Sequence, residues 1–157
     1  MNRAASETRR GRLQASKADC FVWAFFWTRR GLMKEKTRVT ILTRNVSAPR
    51  AVALAKQGCK VVACDLGDAH RIPRQDMLDP ADAMFHFAAD VSVSSPTLRA
   101  ANVDGTSRAL ALADALAIPY VVYASSIEAQ GLGAESEIPL REDMACCPVS
   151  DYGQSKV

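Results

Sequence analysis

Tyr152 and Lys156 stand four residues apart in Pro148-Val-Ser-Asp-Tyr152-Gly-Gln-Ser-Lys156-Val157. On a helix that spacing puts two side chains on one face, about one turn from each other. An ammonium beside a phenol favours the phenolate, so it draws the tyrosine toward a pKa useful for moving protons near neutral pH. Such a pair suits a carbonyl or a carbinol as its reaction partner. Short motifs of this kind also decorate ordinary helix surfaces. The pair therefore gains meaning only if the rest of the chain builds a site that faces it.

The elements that could build one begin at Arg38. Arg38-Val-Thr-Ile-Leu-Thr43 is rich in β-branched residues and reads as a strand, followed by a turn through Arg44 to Pro49. Residues 50–57 read as a short helix closed by Gly58. Cys59-Lys-Val-Val-Ala-Cys64 reads as a second strand, stopped by Asp65-Leu-Gly-Asp68. Ala83-Met-Phe-His-Phe-Ala-Ala89 reads as a third, residues 98–117 as an Ala- and Leu-rich helix, and Pro119-Tyr-Val-Val-Tyr-Ala124 as a fourth strand ending in Ser125-Ser126. A loop with Gly131, Gly133, Pro139 and Pro148 then leads to a terminal helix. Short apolar strands alternating with helices imply an α/β fold with a parallel sheet covered on both faces. In such sheets ligands bind beyond the carboxyl ends of the strands. Arg44, Asp65, Ala88-Ala89 and Ser125-Ser126 occupy those ends.

Charge and composition narrow the classes. Residues 1–36 hold nine Lys and Arg against three Asp and Glu, whereas residues 37–157 hold eleven against fourteen. The body thus has no basic excess of the kind that nucleic acid selects, and no nucleic-acid partner is expected. Five cysteines, with no C-x-x-C and with Cys146 and Cys147 adjacent, make neither a disulfide framework nor a zinc site. A reducing, cytoplasmic setting suits them. The apolar run Cys20-Phe-Val-Trp-Ala-Phe-Phe-Trp27 is far shorter than the roughly 20 residues a membrane span needs. His86, inside an apolar strand, reads as a core histidine. Asn102 reads as a helix cap by residue type.

From Arg38 to Val157 the chain resembles the extended short-chain dehydrogenase/reductase family, the NAD(P)-dependent epimerase/dehydratase and 3β-hydroxysteroid-dehydrogenase-like group. The resemblance rests on an ordered set. It comprises Val61-Val-Ala-Cys-Asp-Leu-Gly-Asp68, Phe85-His-Phe-Ala-Ala89, Asn102-Val-Asp-Gly-Thr106, Val121-Val-Tyr-Ala-Ser-Ser126 followed by Gly131, and Pro148 with Tyr152-Gly-Gln-Ser-Lys156. It implies a Rossmann-like doubly wound parallel sheet and oxidoreductase, epimerase or dehydratase chemistry at a hydroxyl or keto carbon. Tyr152 would be the general acid/base, Lys156 its partner and a holder of the nicotinamide ribose, and Ser126 a hydrogen-bond donor to the substrate oxygen. Ser125 would support them. Asp65 and Leu66 would flank the adenine, and Ala88 and Ala89 would let the cofactor pass close to the backbone. Asn102 would serve the structure. Arg44, past the second strand of the family's sheet, could pair with a 2′-phosphate, which leans the expectation toward NADP over NAD. The implied partners are a small-molecule substrate (a nucleotide sugar, a sterol or a similar alcohol or ketone) and, as often in the family, a second copy of the chain.

Two departures from the family pattern shape the remaining expectations. The glycines at 11, 31, 58, 67, 105, 131, 133 and 153 form no Gly-x-x-Gly-x-x-Gly turn. That turn would present backbone N–H groups and a helix N-terminus to a pyrophosphate. The pattern also stops one residue after Lys156. Residues 1–36 are accordingly read as an atypical basic and aromatic leader not native to the fold. Residues 37–157 are read as a partial domain lacking its first strand, its glycine loop and its C-terminal substrate region. The expected consequences are poor solubility, weak cofactor binding and an inactive fragment. The alternative is a non-catalytic binding or regulatory domain that keeps the fold.

Overall fold

The computed structural model describes residues 19–23, 37–92, 95–131 and 140–157. Five strands form a parallel sheet: β1 (Asp19–Trp23), β2 (Arg38–Thr43), β3 (Lys60–Ala63), β4 (Ala83–His86) and β5 (Tyr120–Tyr123), in the order β3-β2-β1-β4-β5. The fold class is therefore as the sequence pattern implies. The missing first strand is not: Asp19–Trp23 fills that place, pairing with β2 on one side and β4 on the other. Aromatic and β-branched residues favour the extended backbone, and Asp-Cys-Phe-Val-Trp carries three of them. The rest of the supposed leader, residues 1–18 and 24–36, lies outside the described residues.

Helices cover the sheet on both faces because successive strand residues point to opposite sides. Leu42, Val62, Cys64 and Met84 bury one face against Ala109, Leu112 and Ala113 of α2 (Gly105–Ala115). Val39 and Ile41 bury the other with Cys59, against Leu54 of α1 (Pro49–Ala55). Proline at the start of α1 costs no intrahelical bond. Gly58, at φ +87°, ends the helix in a conformation that glycine adopts readily. The buried Cys59 and Cys64 are free thiols that act as small core residues, as expected.

The long helix expected over 98–117 is interrupted. Residues Ala100–Asp104 form a π-helical turn before α2 begins at Gly105. The third expected strand ends early, at His86, which leaves Ala88 and Ala89 in an open loop. Strand β5 closes one side of the sheet, and its Tyr120, Val121 and Val122 are all exposed.

A central strand cannot lose a backbone donor without breaking the ladder. Val22→Pro should therefore destabilise the chain by on the order of 3 kcal/mol, read from urea denaturation. An unchanged midpoint would contradict the placement of β1.

Candidate active site

The parallel register aligns the carboxyl ends of the strands. Trp23 pairs with Leu42 and with His86, His86 pairs with Tyr123, and Thr43 pairs with Ala63. Every residue just past these positions therefore emerges at one edge of the sheet. On one flank of that edge stand Arg44, Asp65 and Leu66, in the middle Ala88 and Ala89, and on the other flank Ser125 and Ser126.

Two short helices finish the second flank. Ser126 caps α3 (Ile127–Gln130), its hydroxyl accepting from the Glu128 N–H at 3.2 Å. That bond uses an acceptor lone pair and leaves the O–H free to donate. Ser150 caps α4 (Asp151–Gln154) in the same way, accepting from the Gly153 N–H, and its hydroxyl donates to Glu128 Oε2 at 2.5 Å. The two helices touch at Gly153, where a Cβ would lie 2.3 Å from the Glu128 carbonyl oxygen. Glycine in Tyr152-Gly-Gln is thus demanded by contact. A second close approach holds the entering loop. Gly131, at φ +78°, forms a bridge with Cys147, whose N–H donates to the Gln130 carbonyl.

Within this frame Lys156 turns inward. Its residue surface is only 6% exposed, and Nζ donates to the Ala124 carbonyl at 3.0 Å. Nζ lies 5.8 Å from the centre of the Tyr152 ring, although Lys156 itself stands two residues past the end of α4 and not on one helix with Tyr152 as the spacing implied. Burial pushes the Lys156 ammonium down from its ordinary pKa, and the Tyr152 phenol opposes that drop. Ser125 donates to the Lys156 carbonyl at 3.4 Å.

Asn102 turns out to be a tie and not a helix cap. Its Oδ1 accepts from the Asp90 N–H at 2.7 Å, and its Nδ2 donates to the Asp90 carbonyl and to Ser155 Oγ, each at 2.9 Å. Ser155 in turn donates to the Tyr152 carbonyl at 2.7 Å. One buried amide thus joins the loop after β4 to the turn that follows α4, between Tyr152 and Lys156, the structural role the resemblance implied. The Asp90 carboxylate accepts from Ser95, the Ser92 N–H and Thr97, which hold its pKa down at about 2.

The remaining predicted residues divide. Asp65 accepts from the Gly67 N–H at 3.1 Å and pairs with Arg71 at 3.3 Å. Leu66 puts its side chain in the core, while its carbonyl takes a 2.6 Å bond from Arg108 of α2. Arg44 and Ala89 are exposed and Ala88 is half-buried. Ala88 and Ala89 thus put small side chains in the middle of the edge.

Sequence reasoning missed a third group beneath Lys156. His86 is 1% exposed, its Nε2 lies 2.9 Å from Thr106 Oγ1, and its ring stacks on Tyr123 at 5.5 Å between centres. The core position was legible. Its neighbours were not, because Thr106 and Tyr123 reach it only through the tertiary fold. Among the described residues no group of three or more His, Cys, Asp or Glu could hold a metal ion. No helix there is long and apolar enough to cross a membrane.

Comparison with known proteins places this architecture. The family model described as "NAD dependent epimerase/dehydratase family" matches residues 27–157. The chain belongs to that family. A UDP-glucose 4-epimerase of Azospirillum brasilense is 30% identical over 119 residues, which cover 73% of this chain and 32% of that protein. A short-chain dehydrogenase/reductase superfamily protein from Agrobacterium tumefaciens, solved with bound NAD, matches with a TM-score of 0.69 at 26% identity, covering 88% of this chain and 42% of its own. The Bordetella bronchiseptica enzyme WbmG, solved with NAD and UDP, reaches a TM-score of 0.75 at 17% identity, covering 90% and 47%. At that identity the likeness speaks for the Rossmann-like fold. The chain spans about a third of the curated relative and under half of each of these two structures.

The buried histidine makes a pH prediction. Burial first, and then the Lys156 charge, lower the His86 pKa from 6.5 to about 4. The unfolded chain therefore binds the extra proton first as pH falls. Stability is unaffected above about 6.5 and declines between there and about 4, by on the order of 2 kcal/mol at pH 4.5. The Asp90 carboxylate, at about 2, titrates below this window. Urea midpoints at pH 7 and 4.5 should fall less in His86→Gln than in the parent chain. Equal falls would contradict the assignment.

Proposed function

We propose that the chain is the cofactor-binding and proton-transfer part of an NAD(P)-dependent epimerase, dehydratase or dehydrogenase acting on a hydroxyl or keto carbon. The observation that carries this reading is the inward-turned Lys156 beside Tyr152, set at the aligned strand ends of a family member. Tyr152 takes a proton from, or gives one to, the substrate oxygen. The Ser126 hydroxyl donates to that same oxygen. Lys156 keeps a positive charge next to the phenol and has two further N–H donors for the ribose. Arg44, Asp65 and Leu66 would hold the adenosine end, Ala88, Ala89 and Ser125 the middle, and Tyr152 with Lys156 the nicotinamide end. When bound, the nicotinamide supplies the hydride acceptor or donor. The relative that acts on UDP-glucose, by its name, and the neighbour solved with UDP favour a nucleotide sugar as substrate.

Arg44 favours NADP, since a guanidinium can grip a 2′-phosphate with two parallel bonds. Binding by this chain should nevertheless be weak. The sequence carries no Gly-x-x-Gly-x-x-Gly turn of the kind the family uses. Without such a turn a pyrophosphate loses the backbone N–H groups and helix N-terminus that would bind it. This favours a second reading for the chain by itself: a Rossmann-like domain that keeps the proton-transfer residues and does not turn over.

Calorimetry with NADPH and NADH separates these statements. Weak binding, with a dissociation constant on the order of 1 mM, is expected, and micromolar binding would overturn the weakness. In amide NMR spectra, millimolar NADPH should shift Asp65–Gly67, Ala88–Asp90 and Ser125–Ser126. Shifts confined to other surfaces would contradict the site. Arg44→Glu should weaken NADPH about tenfold and leave NADH nearly unchanged.

A further inference from the structure

Lys156 poses a problem that the proposed chemistry leaves open. Its ammonium is buried, and burying a charge is costly unless something compensates it. Among the described residues no carboxylate forms a salt bridge with it. Only one of its three N–H donors has a protein partner there, the Ala124 carbonyl. An aromatic face also stands over the charge. Nζ sits 4.7 Å from the centre of the Tyr123 ring, nearer than its 5.8 Å to Tyr152. Both distances fall within the range where a ring quadrupole attracts a cation.

We propose that Tyr123 is the positioning residue of the site: its ring is the seat of the Lys156 ammonium, and His86 and Thr106 lock that ring in place. Tyr123 and His86 are register partners on adjacent strands, so their side chains leave the sheet on the same face. Their rings stack at 5.5 Å with 26° between planes. Thr106, at the start of α2, lies 2.9 Å from His86 Nε2 through its Oγ1 and so fixes the imidazole on which Tyr123 stacks. Two strands and a helix thus converge on one ring, which leaves it little freedom to turn. Tyr123 touches no reacting atom in this arrangement. It acts through Lys156, holding the ammonium beside the Tyr152 ring with two donors to spare.

The role of the seat in catalysis rests on the reading of Lys156 as part of the site, but the seat itself can be tested without cofactor or substrate. The full chain is acetylated with trace acetic anhydride, and Lys156 labelling is measured by mass spectrometry relative to the exposed Lys56 and Lys60. Tyr123→Leu should raise the Lys156 ratio about fivefold, whereas Tyr123→Phe, which keeps the ring, should stay within about twofold of the parent. A general loosening of the fold would move the phenylalanine and leucine variants together, and that outcome overturns the proposal. So does an unchanged ratio in Tyr123→Leu. If the leucine variant does not fold by circular dichroism, Thr106→Val frees the ring while keeping the volume. It should raise the ratio about twofold, and no change there refutes the lock. Failure of NADPH to shift Ser125 and Ser126 sinks the functional reading without altering these ratios.

Discussion

Everything else in the molecule depends on the parallel pairing of Asp19–Trp23 with the strands on both sides of it. β2 and β3 form one half of the sheet, β4 and β5 the other, and β1 alone bonds to both. Arg44, Asp65 and Leu66 belong to the first half. Ser126, Tyr152 and Lys156 belong to the second. A sheet without its middle strand would expose two unpartnered ladders and would separate the two ends of any ligand site. The position of this strand sets the distance between those two groups of residues.

Local geometry at the second half is enforced by contact and by buried hydrogen bonds. Gly153 lets α4 lie against the Glu128 carbonyl, and Asn102 fastens the end of that helix to the loop after β4. These constraints explain how a helix of four residues and the turn after it bring a tyrosine and a lysine together. A helix so short has little stability of its own, and the caps at Ser126 and Ser150 with the Glu128–Ser150 bond supply local order from outside it. The same packing turns Lys156 inward. Its charge lowers the His86 pKa further than burial alone, so the histidine stays neutral under the lysine at physiological pH.

Much of this was legible in the sequence where local signals were enough. The strands at 38–43, 60–63, 83–86 and 120–123 follow from β-branched and aromatic runs bounded by turn residues, and Tyr152 with Lys156 follows from spacing within an ordered set of motifs. β1 was not legible. Its aromatic crowding and the basic residues around it mark a break in texture, while its identity as a strand lies in pairing with β2 and β4, across nineteen residues of sequence on one side and sixty-three on the other. Asn102 suggested a cap by residue type, yet its partners are 12 and 53 residues away. The gathering of His86, Thr106 and Tyr123 under Lys156 has no local signature for the same reason. What sequence pattern conveys well is the period of an element. Which elements become neighbours is decided by packing.

The central strand is tested most directly by amide hydrogen exchange followed residue by residue in the full chain. If Asp19–Trp23 holds the sheet together, the amides of Phe21, Val22 and Trp23 exchange as slowly as those of Ile41 and Phe85 in the flanking strands. Exchange of the three at the rate of unstructured chain, with β2 and β4 still protected, would contradict the account.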